Sequence, residues 1–552
     1  MATSDVEQPG WRWRIWPRQI WPWRRTVSPE VQLPALAEYR SLNRHRIRNF
    51  IGISVLMLFC LIYGFFFSAF VPSYLVIFML PLGTLGLLVI WALPEVNWAP
   101  RKQLEWLFYA SFIGLIAWPN YLALALPGLP WITVLRLTSF PLVLTFLICL
   151  SLSAEFRSTL LRSLKAIPSI SILLGIFVVI QFVTAPFSGD VSGSIQRLIV
   201  AQTSWTAVFF ISAYVFLRPG QIRKWSLVLW AMAIFVSLIA IVEFVMGHLP
   251  WRDHIPGFLR VGDESVQRIL AGSVRAGTTR HRAQSVFSTP LGLGEYLALT
   301  IPFVLHFTGR RYSSKIRGAA IASIPLILFA DYLSDAKLGT IGALFGIVAY
   351  IFLAAYQNWR RDKSSLVAAS ALFAYPMGLG FLTLMMLASH RFSVIILGND
   401  GSHANSTQAR VDQYTMGFQK LAEWPFGYGI GQSGEALGFG KDLAGMITVD
   451  TYYLTVLLEY GVAGFIVYYG MFAMGIYESG RRSFNPTTNE DRSFLLPITV
   501  SLATFMIIKS VFSQQDNHPV VFMMLGAVVA LISTYRKAPE IKKPRRRPLV
   551  RR

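Results

Sequence analysis

Charged side chains set among apolar runs are the residues of this chain whose types and spacing could do chemistry. From 390 to 449 a long polar stretch carries Arg391 and Arg410, then a glycine turn at Gly427, Gly429 and Gly431, and it runs into Asp450 at the mouth of an apolar helix. A second polar stretch, 247–289, sets six arginines (Arg252, Arg260, Arg268, Arg275, Arg280, Arg282) against Asp253, Asp263 and Glu264. Guanidinium forks bind carboxylate and phosphate bidentately, so both stretches point to an anionic ligand. Asp450 adds a carboxylate that could orient or deprotonate a hydroxyl, although at its ordinary pKa of about 3.9 it is a weak base unless burial raises it. An Asp before an apolar run is also a common helix N-cap, and the two roles can coexist. Glu295, about one turn after Pro290, is the rival base. Tyr452 and Tyr453 fit either a sugar-stacking face or an interfacial aromatic belt.

The elements that must position these residues are membrane helices. The chain has 552 residues, 54% hydrophobic and only 14% charged, where soluble domains carry roughly 25% charge. Runs such as IGISVLMLFCLIYGFFFSAF (51–70) are uncharged over a bilayer's thickness. The fold expected is an all-α polytopic membrane protein with about fourteen transmembrane helices. They fall near 51–70, 71–94, 104–126, 132–153, 167–184, 198–217, 225–246, 290–307, 318–333, 338–356, 365–389, 450–477, 493–511 and 518–535. The spans at 198–217 and 318–333 are the weakest. The domain order is a basic segment (1–50), N-terminal helices (51–246), a loop (247–289), central helices (290–389), a loop (390–449), C-terminal helices (450–535) and a basic tail (536–552).

The net charge of +22 follows the topology. Every second connection is basic, from Arg101–Lys102 through Arg157, Arg162 and Lys165 to Arg481, Arg482 and Arg492, and the tail reads KKPRRRPLVRR. These fall on one side if both termini are cytosolic. The 247–289 and 390–449 stretches are then extracytoplasmic loops, and arginine there runs against the topology rule. WRWRIWPRQIWPWRR (11–25) reads as an interfacial anchor for anionic lipid rather than a nucleic-acid or heparin site. No short apolar core with a small-residue cleavage site occurs in the first fifty residues, so no cleaved signal peptide is expected. Cys60 and Cys149 both lie in apolar spans and suggest neither a disulfide nor a metal site. Arg136, Arg197, Glu243, Glu295, Asp331, Lys337 and Lys509 sit within or beside apolar sequence, where such charges face a polar cavity or pair with one another. Arg136 and Lys509 have no opposite charge nearby in sequence.

No Walker loop, HExxH or His/Cys cluster is present, so neither nucleotide nor metal chemistry is expected and no cofactor is assigned. An energy-rich substrate would have to arrive activated and membrane-borne, and a sugar on a polyprenyl diphosphate meets both demands. Arginines would hold the diphosphate and stabilise its charge as it leaves.

Four stretches carry a family resemblance. RAQSVFSTPLGLGEYLALTIPF (282–303) resembles the Arg-x-x-Gly-x-Phe-x-Asn-Pro pattern of bacterial O-antigen ligases and O-antigen polymerases. SDAKLGTIGALFG (334–346) resembles their Ser-rich, Arg/Lys-bearing helix start. ARVDQYTMGFQKLAEWPFGYGIGQ (409–432) and DTYYLTVLLEYGVAG (450–464) are similar to the family's glycine-turn block and its Tyr-Leu-containing, Glu-x-Gly-ended block. The four occur in the family's order, while the N-terminal half matches in hydropathy alone.

The resemblance implies a GT-C-like membrane glycosyltransferase that moves glycan from undecaprenyl diphosphate to an acceptor hydroxyl, inverting and without a metal. It implies a bacterial inner-membrane enzyme with its active site facing the periplasm. By position, Arg282 and Arg410 become diphosphate-binding, with Arg280 and Lys337 beside them. Asp450 stands at the catalytic position, and Arg391, Tyr452, Tyr453 and Gly429 are assigned to glycan or acceptor. Ser285 replaces the motif glycine, Thr289 the asparagine, and Asp450–Thr451 the His–Asn pair of ligases that use lipid A-core as acceptor. The acidic residue is more similar to the polymerases, so polymerase is the first reading and ligase the second. Expected partners are the undecaprenyl-diphosphate-linked donor, a glycan or lipid-linked acceptor and membrane lipids, then a chain-length regulator and export complex; nucleic acid is not expected. A lipid-linked oligosaccharide transporter would show mid-depth charges on broken helices and similar halves. A non-catalytic assembly scaffold is the remaining alternative.

Overall fold

The computed structural model describes residues 75–96, 98–125, 131–274, 281–388, 401–438, 449–484 and 489–535, with residues 51, 54 and 55. The first described helix, α1 (Leu75–Trp91), is uncharged; most of it belongs to a separate N-terminal unit. The remaining elements form a second unit.

That unit begins with α2 (Arg101–Ala117), α3 (Val134–Leu152), α4 (Ala154–Leu164) and α5 (Pro168–Thr184). Then come α6 (Val191–Ala201), a π-turn at Gln202–Thr206, α7 (Ala207–Val215) and α8 (Gln221–Met246). The 247–289 stretch folds into a short helix α9 (Glu264–Ala271) and a two-residue hairpin, β1 (Ser273–Val274) with β2 (His281–Arg282). Next are α10 (Pro290–Phe307), α11 (Ser314–Ser334), α12 (Lys337–Arg361), α13 (Leu366–Ala388), α14 (Gly401–Glu423) and α15 (Ser433–Ala436). The chain closes with α16 (Tyr452–Ser483), α17 (Glu490–Ser493), α18 (Leu495–Lys509) and α19 (His518–Tyr535).

Among the described residues, nine helical stretches are long and apolar enough to cross a membrane. A helix stands at each expected span except 51–70, which lies almost wholly outside the described residues. α1 and α2 have 17 residues each, the short end of the spanning range of roughly 17–25. The helix starts follow local chemistry. Thr133 accepts the N–H of Arg136, Asp190 that of Gly193, and Thr289 that of Gly292 with Pro290 at the first helical position.

α10 is the central helix: 89% of it is buried, and it packs against α8, α11, α12 and α18. A helix apolar on all sides has to be enclosed, as PLGLGEYLALTIPFVLHF is here. α16 packs on α5 and α18, and α19 on α7.

In the second unit, ion pairs sort helix ends into two groups. One group holds the basic connections, tied by Arg101–Glu155 (2.6 Å), Arg218–Glu105, Arg157–Glu95 and Arg223–Glu490 (3.4 Å). The other gathers the ends that carry Glu243, Arg282, Glu295, Lys337, Arg410, Asp450 and Lys509. Residues 401–423 are helical, because Gln, Arg, Met, Lys, Leu and Glu favour helix whether or not the segment is apolar. Low hydropathy marked it as lying outside the membrane and said nothing about its conformation.

Candidate active site

α14 presents Arg410 and Gln413 one turn apart, and both reach Asp450, two residues before the start of α16. Arg410 Nε lies 3.9 Å from Asp450 Oδ2, and the Asp450 N–H donates to Gln413 Oε1 at 3.0 Å. The side chains of Arg410 and Asp450 are 32% and 37% exposed, so this pair is open to a ligand. The N-cap position of α16 falls on Thr451, one residue after Asp450, and no side chain caps it there. Asp450 therefore borders the helix start without serving as its cap. Below the pair, Leu437, Val449, Leu454 and Leu458 pack with Tyr414, Met416 and Tyr428.

The glycine turn enters a break in α16. Gly461 has φ 68° and ψ −175°, outside helical values. The Val462 N–H, which an unbroken helix would give to Leu458 O, donates to Pro425 O at 3.3 Å. The freed carbonyls of Leu458 and Glu459 accept the N–H groups of Tyr428 (2.8 Å) and Gly429 (3.0 Å). The backbone groups released by the break are thus re-paired by the turn. Gly427 and Gly429 have φ of 97° and 92°. A Cβ on Gly427 would lie 2.6 Å from Glu459 O, so only glycine fits there. The Gly429 N–H is engaged by Glu459 O, and its backbone lies near Thr184. α6 grips the far side of the turn: Ser194 Oγ donates to Ile430 O (2.9 Å) and Arg197 Nη1 to Gly431 O (2.7 Å).

Arg282 lies at the end of α11. Its Nε donates to Ser334 O (3.2 Å) and its Nη2 to Asp335 O (3.3 Å), which puts a cation on the carbonyl-rich end of that helix. Lys337 opens α12 two residues later, so the structure brings these two expected anion ligands to one turn. Ser285 has φ 54°, a left-handed conformation that favours glycine. This is the position at which the resembled motif carries glycine, and Ser285 Oγ donates to Val236 O at 2.9 Å. Arg280 and Arg391 lie outside the described residues.

Glu295 and Lys509 are both fully buried and meet at 2.9 Å. The cation that has no partner nearby in sequence therefore pairs with a carboxylate on another helix. Arg136, the other unmatched cation, donates to Trp131 O at 2.6 Å. The turn between α18 and α19 covers the same place. Ser288 Oγ donates to Asp516 Oδ2 (2.9 Å), Asn517 Nδ2 to Gly292 O (2.9 Å), and Lys509 Nζ to Gln514 O. Burial pushes the Asp516 carboxyl above its ordinary range, against the Ser288 hydrogen bond and the Lys509 charge, which pull it down. Sequence reasoning missed this turn because nothing in SQQDNH predicts contact with residues more than 200 positions earlier.

Tyr452 is buried, its ring 4.8 Å from that of His518 and 5.4 Å from Lys509 Nζ. A ring so enclosed packs against the protein. Tyr453 is half-buried and donates to Met506 O at 2.7 Å.

Among protein families, the model described as O-antigen ligase matches residues 296–469. The match runs from α10 into α16 and includes Lys337, Arg410, the glycine turn and Asp450. Arg282, Glu295, Lys509 and Asp516 fall outside it. No curated protein matches the chain.

Proposed function

Taking as premise that this multi-pass membrane protein belongs to the O-antigen ligase and polymerase superfamily, with its O-antigen ligase domain at 296–469, we propose that it polymerises undecaprenyl-diphosphate-linked oligosaccharide repeat units, of O-antigen or exopolysaccharide, at the periplasmic face of the inner membrane. The observation that carries this reading is the apposition of Arg410 and Asp450 at an accessible mouth. A cation for a departing diphosphate and a carboxylate for an arriving hydroxyl stand side by side there.

In the proposed reaction the acceptor hydroxyl oxygen forms a bond to C1 of the donor's first sugar. The bond from C1 to the diphosphate oxygen breaks on the opposite face, and undecaprenyl diphosphate leaves with the electron pair. Asp450 orients the hydroxyl and takes its proton. Arg410, Arg282 and Lys337, with Arg280, bind the diphosphate and offset its growing charge. Attack opposite the leaving group inverts the anomeric centre. The enclosed Glu295 has no part in this scheme.

Asp450–Thr451 in place of His–Asn favours polymerase; the matched family description favours ligase, with lipid A-core as acceptor. Deletion followed by analysis of the lipid-linked glycans separates them. Loss of a polymerase leaves single repeat units on the carrier. Loss of a ligase leaves long polymer on the carrier and none on lipid A-core. Unchanged glycans in both pools would remove the assignment.

A further inference from the structure

Glu243 lies in the last turn of α8 and is fully buried. A carboxylate at such a place is retained only if its oxygens are well paired. Among the described residues, the hydrogen-bond partners of its carboxylate come from the stretch that bears Arg282. Oε2 accepts the N–H of Ser285 (2.6 Å) and of Gln284 (3.0 Å), while Oε1 lies 3.2 Å from the Gln284 N and 3.1 Å from His281 Nε2. The clasp therefore brackets Arg282, with the preceding side chain on one side and the second and third following amides on the other. The opposite wall is the end of α11, where Leu333 O accepts the Ala283 N–H (3.1 Å) and the carbonyls of 334 and 335 accept from the Arg282 guanidinium. The left-handed Ser285 turns its N–H onto the Glu243 carboxylate.

We propose that Glu243 is a positioning residue that sets the Arg282 guanidinium for the donor diphosphate; the inference rests on the diphosphate reading of Arg282 given above. Glu243 pulls the 281–285 backbone against α8, beside the Ser285 Oγ–Val236 O bond, while α11 holds the guanidinium, so one buried carboxylate contributes to the register of Arg282 between two helix ends. Hydrogen bonds to a charged acceptor are about twice as strong as neutral ones. Glu243→Gln keeps the shape, removes the charge and leaves a carboxamide N–H facing an amide N–H.

The test uses the full chain in detergent, with undecaprenyl diphosphate as the binding probe and transfer measured against donor and acceptor concentration. Binding is read per mole of monodisperse protein, so a smaller folded yield does not enter. Glu243→Gln is expected to weaken undecaprenyl diphosphate binding about tenfold, which is about 1.4 kcal/mol, and to raise the donor KM with the acceptor KM unchanged. In an Arg282→Ala background the same substitution adds nothing, since it acts through the missing guanidinium. His281→Ala, which leaves the two amide contacts in place, gives a smaller loss of about threefold and covers the case in which Glu243→Gln does not fold. A merely structural staple would lower yield and move neither affinity nor donor KM. Unchanged binding in the Glu243 and His281 variants, or an equal tenfold loss with and without Arg282, overturns the inference. If Arg282→Ala binds the probe as the wild type does, the diphosphate reading fails and this inference with it. If Arg282→Ala weakens binding and Glu243→Gln does not, this inference alone fails.

Discussion

Arg410 and Asp450 face each other across 3.9 Å, from a polar helix to the residue that precedes the N-cap of a membrane helix. Each side chain is about one-third exposed, and exposed ion pairs contribute roughly 0–1 kcal/mol to stability. The pair is therefore expected to matter more to transfer than to folding. Asp450→Ala should lower transfer in proteoliposomes by roughly 100-fold or more, the usual scale for loss of a general base, while the unfolding temperature in detergent stays within a few degrees. Arg410→Lys should raise the donor KM, because an ammonium cannot bind a diphosphate bidentately. Normal turnover by Asp450→Ala would reduce that residue to a neighbour of the helix start.

The Glu295–Lys509 pair should behave the opposite way. Removing one member of a buried pair leaves an uncompensated charge, at a cost of about 3–5 kcal/mol. Lys509→Met and Glu295→Gln are each expected to lower the unfolding temperature clearly. The double substitution should cost less than the sum of the two, since neither charge is then stranded. Thermal unfolding of the four proteins in one detergent checks this. Additive losses would mean that the two side chains do not act as a pair.

Much of this arrangement was legible in the sequence. Uncharged runs of bilayer length located the helices, and arginines lying against the topology rule marked the group of helix ends that holds Arg282 and Arg410. The resemblance placed Asp450 at the mouth of α16. What could not be read there depends on contacts between distant segments. Hydropathy distinguishes polar from apolar stretches but not helix from loop, so α14 was missed within 390–449. Lys509 looked unmatched because its partner Glu295 lies on a different helix. Tyr452 looked like an interfacial ring because its residue type suits both a membrane belt and a core, and only packing against His518 and Lys509 decides between them. The glycine turn at 427–431 is evident in the sequence but its neighbour is not, and the structure shows that the neighbour is the broken helix at Gly461.

Ser285 gives a test on a single backbone position. Its left-handed φ of 54° is disfavoured for a side-chain-bearing residue by about 1–2 kcal/mol. The hydrogen bond from its Oγ to Val236 O contributes about 1 kcal/mol in return. Ser285→Gly relieves the strain and loses the bond, so its stability should stay within about 1 kcal/mol of the wild type. Ser285→Val keeps the strain, loses the bond and adds a branched Cβ, so it should lose 2 kcal/mol or roughly more. Thermal unfolding that ranks Ser285→Val at or above Ser285→Gly would contradict the left-handed assignment.

The break at Gly461 yields a prediction of sign. In an ordinary helix, replacing glycine by alanine stabilises by about 0.5–1 kcal/mol. Gly318, exposed in α11 with no atom within 4 Å of the position a Cβ would take, should follow that rule. Gly461 should reverse it. Its φ of 68° strains any side chain, and a Cβ there would meet the backbone of Pro425 and Phe426. Gly461→Ala is thus expected to destabilise by about 1–2 kcal/mol or more. The break also separates residues 452–460, which Asp450 precedes by two residues, from the rest of α16, and the 425–431 turn pairs with the carbonyls that it frees. If alanine straightens the helix, those carbonyls return to it, and the turn loses its anchor together with the α6 contacts that it bridges. Transfer should then fall with stability in Gly461→Ala and remain intact in Gly318→Ala. A Gly461→Ala protein as stable and active as the Gly318 variant would mean that α16 runs unbroken through this position.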